Sequence, residues 1–172
     1  AGAVELVHCY SLVHDDLPLR CAADQGLERA PIHGKRPLDV TLPFHGIGKQ
    51  LLGMRVQLSV AAFNVTPLWQ QFMPRRKAIT QVVSDLLYSV SVYPPLYFEQ
   101  FKPETTFEKW AAVEVSSLHS APEDMEHLLL PGGTYAVFRY KSEGGNPAIF
   151  QYIYGTWLPA SNYRLSPLPH FE

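Results

Sequence analysis

Polar and apolar positions alternate through residues 51–59 (LLGMRVQLS), which predicts a strand with Met54, Val56 and Leu58 on one face. Residues 86–93 and 109–116 alternate similarly and are rich in Val and aromatic residues, predicting two more strands. Before them, Thr66-Pro67 reads as an N-cap and first-turn pair, after which Leu68, Trp69, Phe72 and Met73 recur at helical spacing. Pro74 interrupts or kinks this helix, and Arg75, Arg76 and Lys77 begin a second piece running to about Ser84. Pro94-Pro95 with Tyr97, Phe98, Phe101 and Phe107 predicts a long aromatic loop between the second and third strands.

The grammar restarts after a Gly132-Gly133 turn. Residues 134–141 (TYAVFRYK) alternate as a strand. Asn146-Pro147 caps a helix through Leu158, with Ile149, Phe150, Ile153 and Trp157 on one side. After Pro159 a loop leads to residues 170–172, the start of another strand. Two strand, helix, strand units, the second cut short, predict an α+β fold with helices packed on an antiparallel sheet. Spacing leaves the strand order open.

The first 48 residues differ. Val4, Leu6, Val7, Tyr10, Leu12 and Val13 form an apolar surface with no Gly or Pro after Gly2, which predicts a helix over residues 1–17 ended by Pro18. From Leu19 to Gly48 a scatter of Gly, Pro and charges predicts a linker.

Composition narrows the function classes. A length of 172 residues allows one ordinary domain, and 47% hydrophobic with 17% charged residues argues against disorder. A net charge of −2 disfavours direct nucleic-acid binding. Arg75, Arg76 and Lys77, the one basic run, read as a solvated helix face. No apolar run approaches a membrane span and no signal peptide is evident, so a soluble, cytoplasmic protein is expected. Ala rather than Met at position 1 suggests a fragment or processed product. Cys9 and Cys21 match no zinc or redox spacing, and His119, His127 and His170 are too scattered for ligands or a triad. Ser116 and Ser117 lack a G-x-S-x-G setting. No metal or cofactor is expected.

Several spaced blocks carry a family resemblance: FMPRRKAI (72–79), FEKWAAVEVS (107–116), GGTYAVFRY (132–140), FQYIYGTWLPASNY (150–163) and PHFE (169–172). Together they resemble the GyrI-like family, also called the AraC-type or bacterial transcription activator effector-binding domain. The resemblance spans residues 42–172 and leaves 1–41 as an N-terminal helix and linker arm. It implies duplicated βαββ (SHS2-like) modules forming an antiparallel sheet with helices on one face, the second module truncated at its C-terminus. It further implies a cleft for amphipathic, often cationic, small molecules. Because relatives continue beyond PHFE, the second module is expected to lack strand partners, with dimer pairing, domain exchange or reduced stability as the consequence.

The N-terminal segment AVELVHCYSLVHDDLP (3–18) resembles the first aspartate-rich helix of polyprenyl diphosphate synthases. Asp15 and Asp16 are present, but Leu19 stands where the third aspartate of DDxxD belongs and no second such motif follows. The chain is too short for that enzyme, and the plain reading is a helix end with two solvated aspartates.

A cation-binding cleft needs aromatic faces and a carboxylate. From three Trp, nine Tyr and nine Phe, the candidates are Trp110, Tyr135, Phe138, Tyr154, Trp157 and Tyr163, each of which could instead serve the core. Strict alternation puts Trp110, Ala112 and Glu114 on one strand face, either solvated or in the cleft. Glu114 and Glu172 are the acidic candidates, since the resemblance places an acid in the cleft, with Glu172 slightly preferred. Affinity for a cation should then weaken as pH falls. The resemblance makes a non-enzymatic small-molecule-binding module the leading reading, with output through a transcription regulator as separate partner. It also permits inhibition of DNA gyrase, or a hydrolase opening cyclopropane-bearing genotoxins with Tyr163, Tyr135 or Glu172 in its cleft.

Overall fold

The computed structural model describes residues 4–14, 28–30, 38–46, 48–118, 121–142 and 147–172. Its strands are β1 (Val4–His14), β2 (Glu28–Ala30), β3 (Leu38–Gly46), β4 (Lys49–Ser59), β5 (Tyr88–Val92), β6 (Thr106–Glu114), β7 (Glu126–Leu130), β8 (Gly133–Ser142), β9 (Tyr163–Leu165) and β10 (His170–Phe171). Its α-helices are α1 (Thr66–Arg75), α2 (Pro147–Tyr152) and α3 (Leu158–Ala160). The chain forms two compact units, Ala1–Gly46 with Gly133–Ser166, and Ile47–Gly132 with Pro167–Glu172. Each combines antiparallel strands with helix, so the fold is α+β.

In the Ile47–Gly132 unit the strand order is β10-β5-β6-β4-β7, antiparallel throughout. Alternation sorts the side chains into two layers. Leu52, Ala111, Val113 and Val115 pack with Leu68 and Phe72 of α1 and with Met125. On the opposite face Leu51, Tyr88, Val90, Trp110, Ala112 and Leu130 form a second buried cluster. Apolar residues on both faces are what a strand needs when each face is covered.

Local details differ from the sequence reading. The N-cap is Val65 rather than Thr66, because the Thr66 N–H donates to Asn64 Oδ1 at 3.2 Å and Thr66 is already helical. Pro74 lies inside α1 without ending it, and the following piece is a single 3-10 turn, Arg76–Ala78, which stops as Ile79 turns extended. Strand β7 (EHLLL) escaped the pattern, since Leu129 at 65% exposed breaks the alternation.

In the other unit β8 lies between β1 and β3, β2 pairs with β3, and β9 pairs with the end of β1. Two corrections follow. The segment expected as an N-terminal helix is the strand β1, and the expected linker carries β2 and β3. Apolar residues on both parities of β1, Leu6, Tyr10 and Leu12 against Val7 and Val13, satisfy the helical and extended templates alike. The β8 backbone decides between them, pairing from Val4↔Ser142 to Ser11↔Tyr135. The strand partners that the resemblance led us to expect as missing are supplied to β8 by β1 and β3. Asp15, Asp16, His119 and Asn146 lie outside the described residues.

Past α2 the helix widens into a π turn, Ile153–Trp157, before α3. Pro159 has no N–H to give the Gly155 carbonyl, while Leu158 N–H reaches Ile153 O. Ile149, Ile153 and Trp157 are buried against Ala136 and Phe138 of β8, whereas Phe150, expected on the same side, is 38% exposed.

Candidate functional site

The chemistry of the Ile47–Gly132 unit gathers on the sheet face turned away from α1. Strand pairing places Arg55 opposite Trp110, Leu51 opposite Glu114, and Tyr88 opposite Ala112, so Leu51, Arg55, Tyr88, Trp110 and Glu114 share that face. Phe171 of β10 joins it, its ring 6.2 Å from that of Tyr88.

Two groupings of cation, carboxylate and ring result. In the first, Lys49 Nζ donates to Glu114 Oε2 at 2.6 Å, Tyr88 Oη donates to the same oxygen at 3.0 Å, and Nζ lies 5.9 Å from the Tyr88 ring centroid. In the second, Arg55 pairs with Glu108 at 2.6 Å and Glu126 at 2.9 Å, its Cζ 5.6 Å from the Trp110 ring. Trp110 Nε1 in turn donates to Glu108 Oε2 at 3.1 Å. Trp110 is only 3% exposed, while the Glu114 carboxylate keeps 18% of its side chain open to solvent.

These contacts move protonation equilibria. Burial raises the Tyr88 phenol above its ordinary value, and its hydrogen bond to Glu114 adds to the effect. For Lys49, burial is the largest influence and acts downward, but the Glu114 hydrogen bond and the Tyr88 and Glu114 charges outweigh it, so the pKa is raised. The ammonium form therefore persists at this face.

The opposite face of β6 holds a buried amine. Lys109, with 5% of its side chain exposed, donates to Ser91 Oγ at 3.1 Å and lies 3.5 Å from Glu172 Oε1. The aromatic loop expected before β6 roofs this group: the Tyr93 ring lies 4.7 Å from Phe98, 4.9 Å from Phe107 and 5.3 Å from His170. Burial lowers the Lys109 pKa, with Glu172 opposing, and pushes Tyr93 up to about 12. Removing one partner of a buried pair leaves the other charge uncompensated, a cost moderated here because Glu172 retains 28% exposure. Lys109→Met should therefore lower stability by about 1 kcal/mol or more, read as a lower melting temperature, and a higher one would show that burying the ammonium costs more than its pairing with Glu172 returns.

Of the residues singled out from sequence, Trp110 and Glu114 come together as the alternation required. Glu172 does not join them: its backbone pairs with Ser89 and its carboxylate turns to Lys109. The remaining five belong to the Ala1–Gly46 and Gly133–Ser166 unit. Phe138 and Trp157 sit in its core at 5.0 Å, edge to face, and Tyr163 stacks on Trp157 at 6.3 Å and 9°. Tyr154 is partly buried against the same cluster, and Tyr135, 1% exposed, alternates to the other face of β8. Sequence reasoning missed Lys49, Arg55, Tyr88, Glu108 and Phe171. Glu108 could have been found, for it has the same parity as Trp110 and Glu114; the cations become visible only once β4 is paired with β6. Among the described residues no group of His, Cys, Asp and Glu is arranged to hold a metal, and no helix is long and apolar enough to cross a membrane.

Residues 48–172 match the family described as GyrI-like small molecule binding domain. No curated protein matches the chain. Among solved structures it is similar to an integron cassette protein from the mobile metagenome of Vibrio cholerae, at 14% identity over 78% of this chain and 92% of that one, with a TM-score of 0.46.

Proposed function

The chain belongs to the GyrI-like small molecule binding domain family, and from that premise we propose that it binds an amphipathic organic cation on the face bearing Glu114, Tyr88 and Trp110. The observation that carries this reading is the Glu114 carboxylate. It is held at the end of a mostly buried apolar surface, oriented by the Tyr88 hydroxyl and flanked by rings, where a cation gains both charge pairing and π contact. Leu128 and Phe171, partly buried against the Leu51 and Trp110 core, supply the apolar area that a hydrated inorganic cation cannot use.

The duplicated βαββ reading draws support from the parallel between the units. Strands β4 and β8 each lie between two antiparallel neighbours and each lead into a helix. On this reading the protein acts as a receptor, with no covalent step.

Fluorescence anisotropy of rhodamine 6G titrated with protein tests the assignment. Glu114→Gln keeps the shape and a hydrogen-bond acceptor but removes the charge, and should weaken binding by about tenfold, the scale of one charge-assisted contact. Equal affinity in the two proteins would overturn the site.

A further inference from the structure

Both carboxylate and ring of the proposed site are already engaged by a cation of the chain itself. The Lys49 ammonium makes with Glu114 and Tyr88 the contacts that a ligand ammonium would make. We propose that Lys49 is a tethered internal competitor: an amphipathic cation enters by displacing this ammonium from Glu114, and Lys49 thereby sets which cations the site accepts. The inference rests on the reading of this face as the ligand site.

Geometry favours displacement of Lys49 over any other cation present here. It is the first residue of β4, and 28% of its side chain is exposed, so its four-carbon stem can carry the ammonium into water while the Lys49↔Leu130 backbone pairing stays intact. Glu114 would still accept from Tyr88 Oη, which keeps the carboxylate oriented for the incoming group. Arg55 is different. It is clamped between Glu108 and Glu126 and lies over Trp110, so leaving would cost it two ion pairs and a ring contact.

A tethered group competes at an effective concentration on the order of millimolar. Small ammonium ions carry only the contact that Lys49 already makes and gain little over it. A ligand that also covers Leu128 and Phe171, which pack only partly buried against this cluster, adds apolar burial that Lys49 cannot supply, so the internal competitor filters for cations with a large apolar body.

Rhodamine 6G binding to wild type, Lys49→Met, Lys49→Arg and Glu114→Gln, each checked by thermal melting, tests this, with methylammonium added as a competitor. Lys49→Met should bind the dye about tenfold more tightly, and methylammonium should displace dye from it at lower concentration than from wild type. Lys49→Arg, which restores an internal cation, should return affinity to near the wild-type value. Unchanged or weaker dye binding in Lys49→Met, with Glu114→Gln still impaired, would overturn the competitor role and leave the site standing. Dye binding indifferent to all three substitutions, or absent from all four proteins, would overturn both.

Discussion

Gly53→Ala should unfold most of the Ile47–Gly132 unit under conditions where the wild type is stable, at a cost of about 3 kcal/mol or more. Gly53 lies in mid-β4, paired with Ala112 on one side and Glu126 on the other. A methyl there would collide with the Ala111 carbonyl oxygen and come within 2.7 Å of both Cα and Cβ of Ala112. Backbone atoms of a central strand must then move, and β4 has no free edge toward which to shift, since β6 and β7 flank it. The ladder that positions Arg55 against Trp110 would be lost with it. Urea unfolding followed by circular dichroism reads the effect. Gly155→Ala is the contrast, because a methyl there meets nothing within 4 Å in a helical segment, and it should be neutral or stabilising by up to about 1 kcal/mol. A Gly53→Ala midpoint matching wild type would refute the close packing of β4 on β6.

Acid should destabilise the protein nearly as strongly, through His170. Its imidazole, 5% exposed, stacks on Phe98 at 5.4 Å and packs against Tyr93. Burial, then the neighbouring Lys109 charge, lowers its pKa from 6.5 to about 4. The folded state thus holds His170 neutral where the unfolded chain would protonate it, so unfolding takes up a proton between those values. Stability is full above pH 6.5 and is lost progressively as pH falls toward 4, by about 3 kcal/mol in all. Lys109, Glu172 and the Tyr93 hydroxyl are the titratable groups around it. His170→Phe should flatten the stability profile between pH 6.5 and 4, and Lys109→Met should shallow it by removing a like charge. Wild type and His170→Phe losing stability in parallel would assign the acid sensitivity to other groups.

How much of this could be read beforehand varies by element. Strands β4, β5, β6 and β8 and helices α1 and α2 were legible because each covers a core from one or both faces and its apolar spacing records that. The first segment was misread because its apolar residues fall on both parities, a pattern that fits a helix as well as a strand until β8 offers hydrogen bonds to it. Glu172 was placed with Glu114 because the family resemblance led us to expect an acid in the cleft and Glu172 ends the PHFE motif. The antiparallel pairing of Phe171 with Val90, which also sets Glu172 against Ser89, turns its carboxylate to the Lys109 side instead. Phe138, Trp157 and Tyr163 were equally apt for core or cleft, and their mutual packing puts them beneath the helix.

By itself the sequence determined the α+β character, the shared face of Trp110 and Glu114, and the family, since local periodicity and short motifs are properties of adjacent residues. Which cation sits on which carboxylate was decided only in three dimensions. Lys49 and Glu114 are 65 residues apart and Arg55 and Glu126 are 71 apart, and it is the register of β4 between β6 and β7 that brings each pair together. Shifting β4 by one residue would send Lys49 and Arg55 to the face opposite Glu114 and Trp110.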